Sequence, residues 1–108
     1  MQVTANGIDF VCQIDGPEGA PWLTFSNSLN TNVSLWDEQV ALLSDRYRIL
    51  RYNTRGHHGT GAPPGPWNLE DLAGDIIALW DALEIPTSHF VGLSIGGMIA
   101  QGLAVKRL

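Results

Sequence analysis

A chain of 108 residues has room for one domain built around a single modest core. Its 44% hydrophobic and 16% charged residues suit a soluble globular protein and exclude a disordered one. A net charge of −5, with six Lys and Arg in all, leaves little to neutralise phosphates and argues against a nucleic-acid partner.

The single cysteine, Cys12, cannot close an internal disulfide. The opening Met1-Gln2-Val3-Thr4 lacks the charged and apolar regions of a secretion signal, so a cytoplasmic location is the expectation. The nearly uncharged run from Val91 to Val105 contains Gln101 and falls short of the roughly twenty apolar residues a bilayer needs. It reads as a buried strand followed by a helix, and no membrane partner is expected.

In chain order, residues 2–5 and 8–14 are rich in β-formers and flank Asn6-Gly7, the signature of a tight hairpin turn. Asp15 to Gly19 is a second turn cluster, after which Trp22 to Phe25 reads as a short buried strand ending in Ser26-Asn27-Ser28. Residues 36–43 suit a helix with Trp36, Val40 and Leu43 on one face and Ser34 as its cap. Tyr47 to Tyr52 is the next strand, followed by a Gly- and Pro-rich loop over residues 53–67.

Asn68 then opens a helix, and Asp71 three positions on makes a pattern related to the capping box. Leu69, Leu72, Ile76, Leu79, Trp80 and Leu83 recur at helical spacing, and Pro86 is the expected stop. Residues 88–93 form a strand, and the chain is helical from Gly96, with Met98, Ile99, Leu103 and Val105 to bury. An antiparallel hairpin followed by β-α-β-α alternation indicates an α/β protein with a mainly parallel sheet.

The last strand–helix junction reads Gly92-Leu93-Ser94-Ile95-Gly96, a G-x-S-x-G pattern. On such a turn the serine is strained and its hydroxyl projects above the sheet. Glycines two residues to either side let neighbouring backbone approach without a Cβ clash. The Ile95 amide at the helix start is placed to stabilise an oxyanion. A second oxyanion donor is expected from the loop after the third strand, and the backbone N–H of Leu29 occupies that place. Two plainer readings stand beside these: a glycine-rich packing contact at the elbow, and an ordinary polar loop capping a helix at Ser26 to Asn30.

No His, Asp or Glu follows Ser94. Of the three histidines before it, His57 and His58 lie in the long loop. His89 is five residues upstream on the strand, roughly 16 Å away at strand rise, far outside hydrogen-bond reach. The adjacent pair His57 and His58 does not have the spacing of a metal site, so neither a metal nor another cofactor is expected.

Taken together, "SNSLNTNVSLWDEQV", "RYNTRGHHGTGAPPGPW" and "HFVGLSIGGMIAQGLA" resemble the N-terminal portion of an α/β-hydrolase, most closely the 3-oxoadipate enol-lactonases of aromatic catabolism. The resemblance runs through the whole chain, residues 1–108, as a partial core domain, and covers less than half of that family's usual length. It implies Ser94 as nucleophile, Leu29 and Ile95 as backbone oxyanion donors, and Gly92 and Gly96 as the elbow glycines. It implies a small-molecule ester or lactone as substrate, with no cofactor. The acid and base of the triad would come from later segments, so these 108 residues alone are expected to be inactive. Other carboxylesterases and cofactor-free haloperoxidase-like enzymes share much of this pattern.

Two positions depart from the family's Asp-x-Arg-Gly-His-Gly loop: Asn53 replaces the Asp, and His58 replaces the second Gly. If that Gly needs positive φ, His58 is strained by about 1 kcal/mol or more. Two other classes remain open. A dinucleotide-binding module fits Gly92 and Gly97 but not Ser94, which stands where backbone must approach a pyrophosphate. A non-catalytic fragment, or half of an assembly, would expose an apolar sheet edge suited to self-association.

Overall fold

The computed structural model describes the backbone of residues 1–106 and the side chains through residue 104. Strands β1 (Gln2–Ala5) and β2 (Ile8–Asp15) form the expected hairpin, followed by β3 (Trp22–Ser26), β4 (Arg48–Tyr52) and β5 (His89–Gly92). They make one mixed five-stranded sheet in the order β1-β2-β4-β3-β5. The β1/β2 and β2/β4 pairs are antiparallel, whereas β3 runs parallel to both β4 and β5.

Three helices pack on this sheet: α1 (Asp37–Leu43), α2 (Leu69–Ala82) and α3 (Ile95–Lys106). Because side chains alternate along a strand, β3 and β4 each feed two cores. Leu23, Phe25 and Ile49 meet Trp36 and Val40 on the α1 side. Leu50 and Tyr52 join Phe10, Cys12 and the α2 and α3 residues Ile76, Leu79, Ile99 and Leu103 on the other. Burial of both faces explains why β3 and β4 read as near-continuous apolar runs.

The helix ends differ in detail from the sequence expectation. The cap before α1 is Asn32, not Ser34: its Oδ1 accepts from the Ser34 N–H at 2.9 Å and starts a 3₁₀ turn, Val33–Trp36, that runs into α1. Asn68 and Asp71 form a full reciprocal box, with Asp71 N–H to Asn68 Oδ1 at 2.9 Å and Asn68 N–H to Asp71 Oδ2 at 3.0 Å. The other end of α2 stops before Pro86. Glu84 takes φ 57°, and the Ile85 N–H reaches back to the Trp80 carbonyl at 2.8 Å, a closure usually made with glycine. Two residues expected inside are outside, Leu69 at 41% and Met98 at 54% exposure. Both stand in the first turn of their helices. Val105, also expected inside, lies beyond the described side chains.

Cys12 is fully buried in the α2/α3 core, and burial pushes its thiol from 9.0 up to about 11, opposed by the nearby amino terminus. Burial also raises the Tyr52 hydroxyl, against a lowering hydrogen bond to Ser26. In the unfolded chain the thiol ionises near 9.0, so above that pH the unfolded state gives up a proton that the folded state keeps. The thiol's contribution to stability is therefore constant below pH 9 and is lost between about 9 and 11, by about 2–3 kcal/mol. Melting temperature followed from pH 8 to 10.5 should show this decline, and Cys12→Ala should delay its onset toward pH 10, where Tyr52 takes over. Equal slopes for the two proteins would remove Cys12 as the cause.

Candidate functional site

Ser94 stands between the end of β5 and the first residue of α3 with φ 57°, a left-handed conformation that costs a non-glycine residue about 1–3 kcal/mol. Backbone bonds on both sides hold it there. The Leu93 N–H donates to the Ser26 carbonyl at 3.2 Å, and the Gly96 N–H donates to the Leu93 carbonyl at 3.0 Å. The Ser94 carbonyl itself accepts from Gly97 N–H at 2.9 Å and Met98 N–H at 3.2 Å. The side chain is exposed at the C-terminal edge of the sheet, and the Ile95 amide, first in α3, has no acceptor within the helix.

The two elbow glycines are required by proximity. A Cβ at Gly92 would lie 2.2 Å from the Gly96 carbonyl carbon and oxygen, and one at Gly96 would lie 2.4 Å from the Ser26 carbonyl oxygen. At Gly97 the nearest atom to such a Cβ is 3.6 Å away, an ordinary contact. The glycine requirement thus falls on Gly92 and Gly96 and not on Gly97, which fits an elbow folded against its own strand better than a dinucleotide fingerprint.

Leu29 lies on the loop that leaves the end of β3, the same strand end on which Gly96 rests. Sequence reasoning missed what anchors this loop. Asn27 is completely buried; its Nδ2 donates to the Tyr52 carbonyl at 3.1 Å and its Oδ1 accepts from Trp36 Nε1 at 2.7 Å. Beside it, Ser26 Oγ and the Tyr52 hydroxyl share a buried hydrogen bond of 2.7 Å. At the far end of the loop the Val33 N–H donates to Asn53 Oδ1 at 2.8 Å. The polar run after an apolar strand was the available signal, but the partners lie at the end of β4 and on the 3₁₀ turn before α1 and emerge only with the β3/β4 pairing.

His57 and His89 make their contacts with groups other than the serine. His57 Nδ1 lies 3.1 Å from the Arg55 carbonyl within its own loop, and His89 packs edge-on against Tyr47 with ring centroids 5.9 Å apart. His58 takes φ 41°, as a glycine-like position demands. The two departures from the family loop touch: Asn53 Nδ2 donates to the His58 carbonyl at 3.0 Å, a bond an aspartate could not make. Among the described residues no cluster of His, Cys, Asp or Glu could hold a metal ion. A groove of about 540 Å³ lies between α2, α3 and β5, lined by residues including Trp80, Phe90 and Leu103, and Ser94 is not part of its wall.

Comparison with known proteins supplies the frame for this geometry. The model of the alpha/beta hydrolase family matches residues 19–108. The chain belongs to the alpha/beta hydrolase family. Two 3-oxoadipate enol-lactonases of Acinetobacter baylyi are similar to it. One is 46% identical over 90 residues, covering 83% of this chain and 34% of the relative; the other is 44% identical over 105 residues, covering 97% and 39%. The crystal structure of the enol-lactonase from Burkholderia xenovorans LB400 superposes with a TM-score of 0.96 at 44% identity, over 99% of this chain and 42% of that one. This hydrolase chain therefore spans well under half the length of the relatives it matches, and no helix among its described residues is long and apolar enough to cross a membrane.

Proposed function

We propose that this chain is the nucleophile-bearing part of a serine hydrolase of carboxylic esters or lactones, with 3-oxoadipate enol-lactone of aromatic catabolism as its substrate. The observation that carries the reading is Ser94 at φ 57° between two glycines that no other residue could replace, in a chain 44–46% identical to enol-lactonases. In this reading Ser94 Oγ attacks the lactone carbonyl. The N–H groups of Ile95 and Leu29 receive the oxyanion, and a base takes the serine proton. That base, and the acid that orients it, come from polypeptide outside these residues; of the histidines here, His57 and His89 are engaged elsewhere, with the Arg55 carbonyl and Tyr47. Alone, the 108 residues are inactive. The assembled enzyme is cytoplasmic, uses no cofactor and binds neither nucleic acid nor membrane.

Among the described residues strand β5 pairs with β3 on one side only, and Val91 and Leu93 beside its other edge are 43% and 48% exposed. Such an edge suits a further strand, and in the isolated chain a second copy. One set of proteins tests the proposal: the chain alone, and the chain joined to the remaining sequence of the 44%-identical Acinetobacter enol-lactonase. The fusion should turn over a chromogenic ester and the enol-lactone, and Ser94→Ala should lower kcat by about 10³-fold or more. The isolated chain should show no turnover and elute above monomer size. Fusion turnover indifferent to Ser94→Ala, or Ser94-dependent turnover by the isolated chain, would overturn the proposal.

A further inference from the structure

We infer that the carboxamides of Asn27 and Asn53 are positioning residues that set the Leu29 oxyanion donor by clamping both ends of its loop; this rests on the hydrolase reading above. The loop has little else to hold it. Leu29 is 58% exposed and residues 28–32 place no side chain in either core. Within the loop, Thr31 Oγ1 donates to the Ser28 carbonyl at 2.7 Å, and Asn30 makes the bend at φ 59°. These bonds shape the loop but do not fix it to the sheet.

The attachment to the sheet comes from three consecutive residues at and just beyond the end of β4, the first being Arg51, whose Nη1 donates to the Val33 carbonyl at 3.0 Å. The Tyr52 carbonyl receives Asn27 Nδ2, and Asn53 Oδ1 receives the Val33 N–H. Both asparagines are buried, at 0% and 3% exposure, and each amide has a donor and an acceptor in use. A buried carboxamide that serves packing alone is costly to desolvate, and an aliphatic side chain would fill the space at less cost. What the two amides add is direction: each ties the loop to the end of β4 and also to a second segment, the 3₁₀ turn through Trp36 or the long loop through His58. The Ser26 carbonyl, one residue before Asn27, is the atom on which Leu93 and Gly96 rest. A shift of residue 27 therefore moves Leu29 relative to Ser94, and an oxyanion donor displaced by even 1 Å loses much of its effect.

The test uses the fusion. Trp36→Phe keeps the stack on Phe25, with ring centroids 4.4 Å apart, and removes only the donor to Asn27. It should lower kcat about 10-fold with KM changed less than about 3-fold, and Asn27→Ala should lower kcat about 10²-fold. Asn53→Ala should follow the same pattern. Asn53→Asp, which keeps the acceptor for the Val33 N–H, should recover most of the kcat that Asn53→Ala loses. If Asn27→Ala does not fold, Trp36→Phe and the Asn53 pair decide. Melting temperatures that fall while kcat stays within about twofold of the parent would make both asparagines merely structural and overturn the inference. Failure of the hydrolase reading is separately visible, as parent turnover that Ser94→Ala leaves intact.

Discussion

Gly92→Ala and Gly96→Ala should each destabilise the protein by at least about 3 kcal/mol or prevent folding, whereas Gly97→Ala should be neutral or stabilising by up to about 1 kcal/mol. The three positions lie within six residues of one another and share a strand–helix junction, so composition cannot separate them. Geometry does. The methyl carbon added at 92 meets the backbone of Gly96 and Gly97 at 2.2–2.6 Å, and the one added at 96 meets the Ser26 backbone at 2.4–2.8 Å.

Backbone cannot step aside as the end of a flexible side chain can. Relief requires α3 to lift from β3 and β5, which exposes Ile99 and Leu103, at 0% and 6% exposure, to water. At 97 the nearest atom is 3.6 Å away, and the substitution replaces a helical glycine with the best helix former. Gly74 in α2, with nothing within 4 Å of its Cβ site, gives a second control expected to gain up to about 1 kcal/mol. Urea unfolding of the four variants checks the ranking. Equal losses at 92 and 97 would mean that the close approach is not what the elbow requires.

The elbow is the part of the site most legible in the sequence. Gly-Leu-Ser-Ile-Gly carries its own geometry, because a serine strained at a strand end and two glycines at fixed offsets follow from local sterics. The alternation of apolar runs with helical periods likewise places all the strands to within a residue or two. The polar framework behind the site is not legible in this way. Asn27 reads as one more polar loop residue until β3 pairs with β4 in the register that sets Phe25 opposite Arg51, bringing Tyr52 to its side chain. Asn53 and His58 read as two separate departures from the family loop, and only the fold makes them donor and acceptor of one bond. Exposure at β5 follows from sheet order, a long-range property. It carries apolar residues as β3 does, but among the described residues only one of its edges is paired.

Asp75→Ala is the second large effect, an expected loss of about 3–5 kcal/mol. Asp75 is 2% exposed on α2 and receives Arg55 in a two-pronged pair, Nε to Oδ2 at 2.7 Å and a terminal nitrogen to Oδ1 at 2.6 Å. Asn6 Nδ2 adds a third bond at 2.9 Å from the turn of the β1/β2 hairpin. The hydrogen bond that Arg55 donates to Asp75 raises the Arg55 pKa against the opposing effect of burial, so the guanidinium stays charged. Its other face lies over the Trp67 ring, 5.4 Å from the centroid, which ties both ends of the long loop to α2. Removing the carboxylate leaves a cation at 6% exposure without its bonded partner, with Asp71 as a weaker electrostatic neighbour. Removing both charges does not: Arg55→Met with Asp75→Leu should be more stable than Asp75→Ala alone by about 2 kcal/mol or more, since the desolvation cost disappears with the pair. Lysine at 55 should recover little, because a point charge can neither fork onto both oxygens nor stack on the indole. Urea unfolding of Arg55→Met, Asp75→Leu and their double gives the coupling directly. A loss below about 1 kcal/mol for Asp75→Ala would show that water reaches Arg55 once its partner is gone, and that the loop is held by Trp67 packing instead.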